Sequence, residues 1–224
     1  MATADAPVLF VAAEAREFDG LIEQVGSSSP LHWPGAQFAR EVIVKGARWW
    51  LIANGPGTEL VNRMLTTRRN VIAMVSTGFC GALDAVLAVG DIVVDGEPPQ
   101  TTLPYLKGKL HTASRVVVTA REKAELNARP GVIAVDMEAS AVARKAREWG
   151  VPFRCVRVVS DTAAEDLPLD FNLYRDAQGR FSRGRIAAAA FLRPLTAIPA
   201  LLRLDKNCRN ASKRLGVFLA DCRF

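Results

Sequence analysis

Apolar and polar positions along this chain fall into short alternating blocks. Val8 to Ala12 is apolar throughout, and a run without alternation predicts a strand buried on both faces. Behind it, Phe18, Leu21, Ile22 and Val25 recur at helical spacing. Glu41 to Val44 and Trp49 to Ala53 predict two strands joined by a Gly-containing turn. Asn54-Gly55-Pro56-Gly57 breaks the pattern, after which Leu60, Val61, Met64 and Leu65 return to helical spacing. Val71 to Ser76, Ile92 to Val94, Val132 to Val135 and Phe153 to Val159 predict further strands, and Val116 to Val118 is a further apolar run. Helices are predicted over Arg121 to Ala128, stopped by Pro130-Gly131, and over Glu138 to Trp149, closed by Gly150. Two more are predicted over Arg183 to Leu192 and Pro199 to Leu219, after a polar, loop-like stretch at 162–182. Strands alternating with helices, several of them apolar throughout, predict an α/β protein: a three-layer α/β/α sandwich whose sheet is covered on both faces.

The length of 224 residues suits one α/β domain with a real core. Charge changes the picture at the C-terminus. The formal net charge is +6, yet from Arg180 onward there are ten Lys or Arg and only two acids, while the remainder has 19 basic and 21 acidic residues. The basic character therefore belongs to a C-terminal helical tail and not to the main fold. Nucleic acid is a poor explanation for such a chain, whereas peripheral contact of the tail with an anionic membrane surface is expected to suit it. Met1 to Pro7 lacks the basic start of a secretory leader. The apolar stretch Ile186 to Leu202 is interrupted by Arg193, Pro194 and Pro199, which argues against a membrane span. Four cysteines without C-x-x-C spacing and only two histidines predict no metal site and a cytoplasmic protein with reduced thiols.

In covered sheets, ligands bind beyond the carboxyl ends of strands. Glu14, Arg16 and Glu17 follow the first predicted strand; Asp136, Met137 and Glu138 follow Val132 to Val135; Ser160 and Asp161 follow Phe153 to Val159, with Arg157 near that strand's end. Several carboxylates on one edge suit a neutral or cationic ligand bearing hydroxyls, because carboxylates accept strongly from paired hydroxyls and stabilise developing positive charge. Taken singly, Asp161 also reads as a turn cap and Glu138 as a first-turn acid of its helix.

Val135-Asp136-Met137-Glu138-Ala139, followed by Val156-Arg157-Val158-Val159-Ser160-Asp161, resembles the paired signature of the purine nucleoside phosphorylase and methylthioadenosine/S-adenosylhomocysteine nucleosidase superfamily. Upstream, Ser76-Thr77-Gly78-Phe79-Cys80-Gly81-Ala82-Leu83 and Val89-Gly90-Asp91-Ile92-Val93-Val94 resemble its glycine-rich loop and following strand. The resemblance implies a nucleoside phosphorylase-like fold with a central mixed sheet, a catalytic domain over 1–182 and a helical extension over 183–224 packed on or beside it. It implies cleavage of the N-glycosidic bond of a purine nucleoside by water or phosphate, without a metal or redox cofactor, in a homo-oligomer, most simply a dimer. Asp161 matches the acid at N7 of the base, a role that calls for a carboxyl carrying or sharing a proton, and Ser160 would support it. Glu138 matches the ribose-binding residue, with Met137 packing on the sugar and Asp136 and Arg157 beside the ligand. Gly78 and Gly81 match the loop that approaches the ligand closely, and Phe79, also expected at the substrate, stands where the family often has a small hydroxyl residue.

A Glu after the first strand would activate water. The helical face favours Glu17, a gapless match puts Arg16 there, and Glu14 is also near; a Glu favours hydrolysis and an Arg favours phosphorolysis. The segment between Val94 and Asp136 is short for this family, which leaves Tyr105 and His111 as candidates for a base-stacking ring. The segments Leu167 to Asn172 and Gly179 to Ser182, before a basic apolar helix, resemble the hopanoid-associated nucleosidases, implying adenine release from adenosylhopane, a lipid. Futalosine hydrolase is another similar short member, and a catalytically silent nucleoside-binding module is the reading from a different class.

Overall fold

The computed structural model describes residues 6–224; Met1 to Asp5, part of the stretch read for a leader, lie outside the described residues. Ten strands form one mixed sheet. They are β1 (Val8–Ala12), β2 (Ser29–Pro30), β3 (Phe38–Val44), β4 (Ala47–Ala53), β5 (Ala73–Ala82), β6 (Ile92–Asp95), β7 (Leu106–Lys107), β8 (Lys109–Thr112), β9 (Val132–Asp136) and β10 (Phe153–Asp161). Their order is β2-β3-β4-β1-β5-β10-β6-β7, with β9 paired to the far end of β5 and to β8. The centre, β4-β1-β5-β10, is parallel; β3 runs antiparallel to β2 and β4, β6 to β10 and β9 to β5, while β6–β7 and β8–β9 are parallel pairs.

The period of two along β1 explains the layers. Val8, Phe10 and Ala12 enter one core with α1 (Asp19–Val25) and the C-terminal half of α6 (Ala197–Asp221). Leu9 and Val11 enter the other core, where α2 (Thr58–Met64) contributes Val61 and Met64, and α4 (Ala139–Trp149) contributes Val142 and Trp149. Both faces of β1 are thus buried, as its unbroken apolar run requires.

Three features go beyond the pattern read along the chain. Val116 to Val118 is not a strand: its backbone loops toward α3 (Ala120–Asn127), and the Asn172 side chain bonds both the N–H and the C=O of Val116. Two short strands, β7 and β8, lie in the segment before it, too brief to leave a periodic signature. The boundary at 182 does not separate two cores. Leu215, Phe218 and Leu219 of α6 are 0–2% exposed in the same core as β1, so half of the supposed extension is a layer of the main sandwich. Only α5 (Arg183–Phe191) and the start of α6 form a cluster of their own, with Leu169.

The α1–α6 crossing is tight because both helices place glycine there. A Cβ on Gly20 would sit 2.1 Å from Ser212 O, and one on Gly216 would sit 2.1 Å from Gly20 C. Ser212 Oγ accepts from Gly20 N at 3.1 Å and donates to Arg16 O at 2.8 Å, tying α6 to the turn that follows β1. Among the described residues no helix is long and apolar enough to cross a membrane.

Candidate active site

One cavity of about 1290 Å³ opens at the ends of β1, β5, β9 and β10, lined among others by Glu17, Phe79, Met137, Glu138 and Asp161. Three buried carboxylates reach it from three different strand ends, each held differently.

Glu17 sits in a single 3-10 turn, Ala15–Phe18, directly after β1. Its side chain folds back, so that Oε2 accepts from the N–H groups of Ala13 at 2.8 Å and Glu14 at 2.9 Å, and Oε1 accepts from Phe79 N at 2.9 Å. Among the described residues it forms no ion pair. Burial, reinforced by the neighbouring Glu138 charge, pushes its carboxyl up to about 7. Gly78 makes room for it: with φ at +116° and a hypothetical Cβ 2.6 Å from the Glu17 carboxylate, this position admits no side chain. The three candidates after β1 are thereby separated. Glu14 is half-buried at the cavity wall. Arg16 is drawn to Asp205 of α6 at 3.0 Å, with its guanidinium 5.8 Å from the Phe79 ring centre. Glu17 alone turns its carboxylate under the β5 glycines.

Glu138 stands where β9 passes into α4. Its Oε1 accepts from Gly57 N at 2.9 Å, and Oε2 lies 3.4 Å from Arg157 Nη2. Burial raises this carboxyl too, against the opposing charge of Arg157. Asp136 and Arg157, both expected beside the ligand, form an ion pair whose side chains have no exposed surface. Asp136 Oδ2 accepts from Arg157 Nη2 at 2.5 Å and from Ala139 N at 2.7 Å, and Oδ1 accepts from Thr112 Oγ1 at 2.8 Å. Arg157 also donates to Thr77 O and Ser76 Oγ, each at 2.8 Å. This pair ties β5, β9 and β10 together and orients the start of α4, which carries Glu138. Met137 lines the cavity, its sulfur 3.7 Å from Arg175 Nη2.

Asp161 ends β10 at a bulge. Val159 pairs with Cys80, and Asp161 already pairs with Gly81, so Ser160 is the extra residue that re-aims the chain. Ser160 Oγ donates to Asp161 Oδ1 at 2.7 Å. Lys123 of α3, wholly buried, brings its ammonium 2.7 Å from Asp161 Oδ2. A Cβ on Gly81 would lie 3.1 Å from Asp161 Oδ2. Sequence reasoning missed Lys123, because a single lysine on a polar helix reads as a solvated side chain. The stacking candidates do not reach the cavity: the Tyr105 ring packs edge-on against Phe218, 6.1 Å between centres, and His111 Nδ1 contacts Arg129 Nη1 at 3.1 Å. Phe79, Phe171 and Phe181 line the cavity instead.

Residues 97–196 match the family model described as the phosphorylase superfamily. The chain is 30% identical to the 5'-methylthioadenosine/S-adenosylhomocysteine nucleosidase of Glaesserella parasuis serovar 5, over 44% of this chain and 60% of that one. It is 27% identical to the protein of the same name from Shewanella baltica, over 46% and 60%. The match thus spans about 60% of the length of these curated relatives. Among solved structures, the S-adenosylhomocysteine nucleosidase of Streptococcus pyogenes superposes with a TM-score of 0.70 at 19% identity, covering 99% of this chain and 97% of that one. Futalosine hydrolase of Helicobacter pylori gives 0.68 at 15% identity and 97% coverage of both. These likenesses extend the shared mixed α/β fold over nearly the whole chain.

Proposed function

We propose that this chain is a nucleosidase of the phosphorylase superfamily, which breaks the N-glycosidic bond of a purine nucleoside with water. The observation that carries this reading is the set of three buried carboxylates, Glu17, Glu138 and Asp161, around one cavity. Glu138 accepts from the ribose hydroxyls and favours the oxocarbenium-like transition state, with Met137 against the sugar. Asp161, backed by Ser160, serves N7 of the departing base. Glu17, raised to about 7, takes a proton from the attacking water and is half ionised at neutral pH. Water is favoured over phosphate because the arginine adjacent in sequence is bound to Asp205, and Arg157 is spent on Asp136. No further cofactor is needed for this chemistry.

The substrate proposed is a nucleoside with a large apolar 5′ substituent, releasing adenine, for which adenosylhopane is the implied example. A volume of about 1290 Å³ exceeds what a nucleoside fills, and the cavity continues between α5 and α6 along Ile186, Ala190, Ile198 and Leu201. Phe191, Leu192 and Leu195 at the tip of this helical pair are 73–90% exposed beside Arg193, an arrangement suited to peripheral contact of a cytoplasmic homodimer with an anionic bilayer.

The test is release of free base from adenosine, inosine, methylthioadenosine, S-adenosylhomocysteine, futalosine and adenosylhopane, each with and without phosphate. Release independent of phosphate supports the nucleosidase, and preference for futalosine replaces the lipid reading. Dependence on phosphate makes it a phosphorylase. Tight binding without release from any of them leaves a nucleoside-binding module.

A further inference from the structure

Lys123 occupies a position that the carboxylate chemistry above does not use. It is 0% exposed, although lysine is among the residues least often buried outright. Its ammonium has three protons and three acceptors: Asp161 Oδ2 at 2.7 Å, Thr162 O at 2.7 Å and Glu165 O at 2.9 Å. A buried ammonium is expensive unless paired, and here its one charged partner is the carboxylate on the cavity wall. The helix is built to deliver it. Thr119 accepts from Glu122 N at 3.2 Å, Glu122 accepts from Thr119 N at 3.0 Å, and this capping box fixes the first turn of α3 under the β10 bulge.

Resting on the nucleosidase reading, we propose that Lys123 is a positioning residue for bond cleavage, holding the proton that Asp161 hands to the base. Both Asp161 oxygens are engaged as acceptors, Oδ2 from the Lys123 ammonium at 2.7 Å and Oδ1 from the Ser160 hydroxyl at 2.7 Å. In the step, Nζ gives a proton to Asp161 Oδ2 as the carboxyl gives one to N7. The C1′–N9 pair of electrons goes to the base, which leaves neutral, and a water proton goes to Glu17. Once the base has gone, solvent in the cavity returns a proton through Asp161 to the neutral amine.

The other ionisable groups around the pair are already engaged or neutral. The Glu165 carboxylate turns to Thr162 N, Asp166 to Ala120 N, and Glu122 is paired with Arg115. Cys80 of β5 and Cys208 of α6 are thiols that burial pushes up.

The experiment compares wild type, Lys123→Met and Lys123→Arg, each first checked for folding by circular dichroism and melting. Base release is followed against pH for a purine nucleoside and for p-nitrophenyl riboside, whose leaving group needs no proton. Lys123→Met should lower kcat on the purine by about 100-fold, the lower range of general acid catalysis, and move the alkaline limb of its profile down, while the nitrophenyl substrate slows far less. Lys123→Arg keeps the charge but does not release its proton, so it should remain slow on the purine. Full recovery in Lys123→Arg, or equal losses on both substrates, would overturn proton delivery. Carbon-13 NMR of the Asp161 carboxyl, assigned with Asp161→Asn, reads the pair without turnover: its titration should move up in Lys123→Met. An unmoved titration sinks the inference even if the wild type releases no base, whereas a wild type that is silent on every substrate sinks the nucleosidase reading.

Discussion

Asp161 and Glu17 are two buried carboxylates on one cavity, and the fold gives them opposite company. Asp161 meets an ammonium at 2.7 Å and a hydroxyl at 2.7 Å. Glu17 accepts from three backbone N–H groups, yet burial, reinforced by the nearby Glu138 carboxylate, pushes it up to about 7. The same functional group is thereby prepared for two tasks, one end of the cavity tied to a proton store and the other able to collect a proton near neutrality. Environment, and not residue type, makes the assignment.

The comparison breaks most visibly at Asp161. Asp161→Asn should lower kcat by about 1000-fold, within the range of general acid–base groups, while nucleoside binding measured by calorimetry stays largely intact. Full activity in that variant would remove the acid role. Glu17→Gln should have a smaller effect, about 100-fold, and should sharpen the contrast through its pH profile. In the wild type, kcat/KM rises as pH increases through about 7, because the base must be ionised; in Glu17→Gln that rise is lost. A profile that keeps the rise would assign it to another group, with Glu138, also raised, next in line.

The smallest effect is on stability. The Glu17 carboxyl is raised in the folded state from 4.5 to about 7, so the stabilisation from its protonated form is full below 4.5 and is lost as pH rises through about 7. Wild-type unfolding free energy should fall across that window by up to about 1.4 kcal/mol per pH unit relative to Glu17→Gln. Urea titrations at pH 5 and pH 8 read the difference. Parallel pH dependences in the two proteins would mean that Glu17 is not held in a costly ionised state.

Much of the frame was legible in the chain. The unbroken run at Val8 to Ala12 became β1 with the same bounds, and Glu138 to Trp149, closed by Gly150, became α4 starting one residue later. Gly78 and Gly81 were expected to let the backbone approach a ligand; what the structure puts against each is a carboxylate, Glu17 at Gly78 and Asp161 at Gly81. The apolar run Val116 to Val118 had no element assigned from its pattern, and in the structure Val116 and Val117 belong to a loop that lines the cavity. The tail misled because its charge lies on the outer face of α6 while Leu215 and Phe218 lie inside.

The local pattern alone thus determined the longer strands and helices and the carboxylates that follow strand ends, since periodicity and strand-end chemistry are properties of neighbours in sequence. Which carboxylate faces which partner was decided only by the tertiary structure. Glu17 is bonded by Phe79 N and raised by burial and by Glu138, Asp161 meets Lys123, and Arg16 meets Asp205 at the cavity wall. These pairings join residues that lie far apart along the chain, and burial then fixes their charge by removing the water that would otherwise screen each from the other.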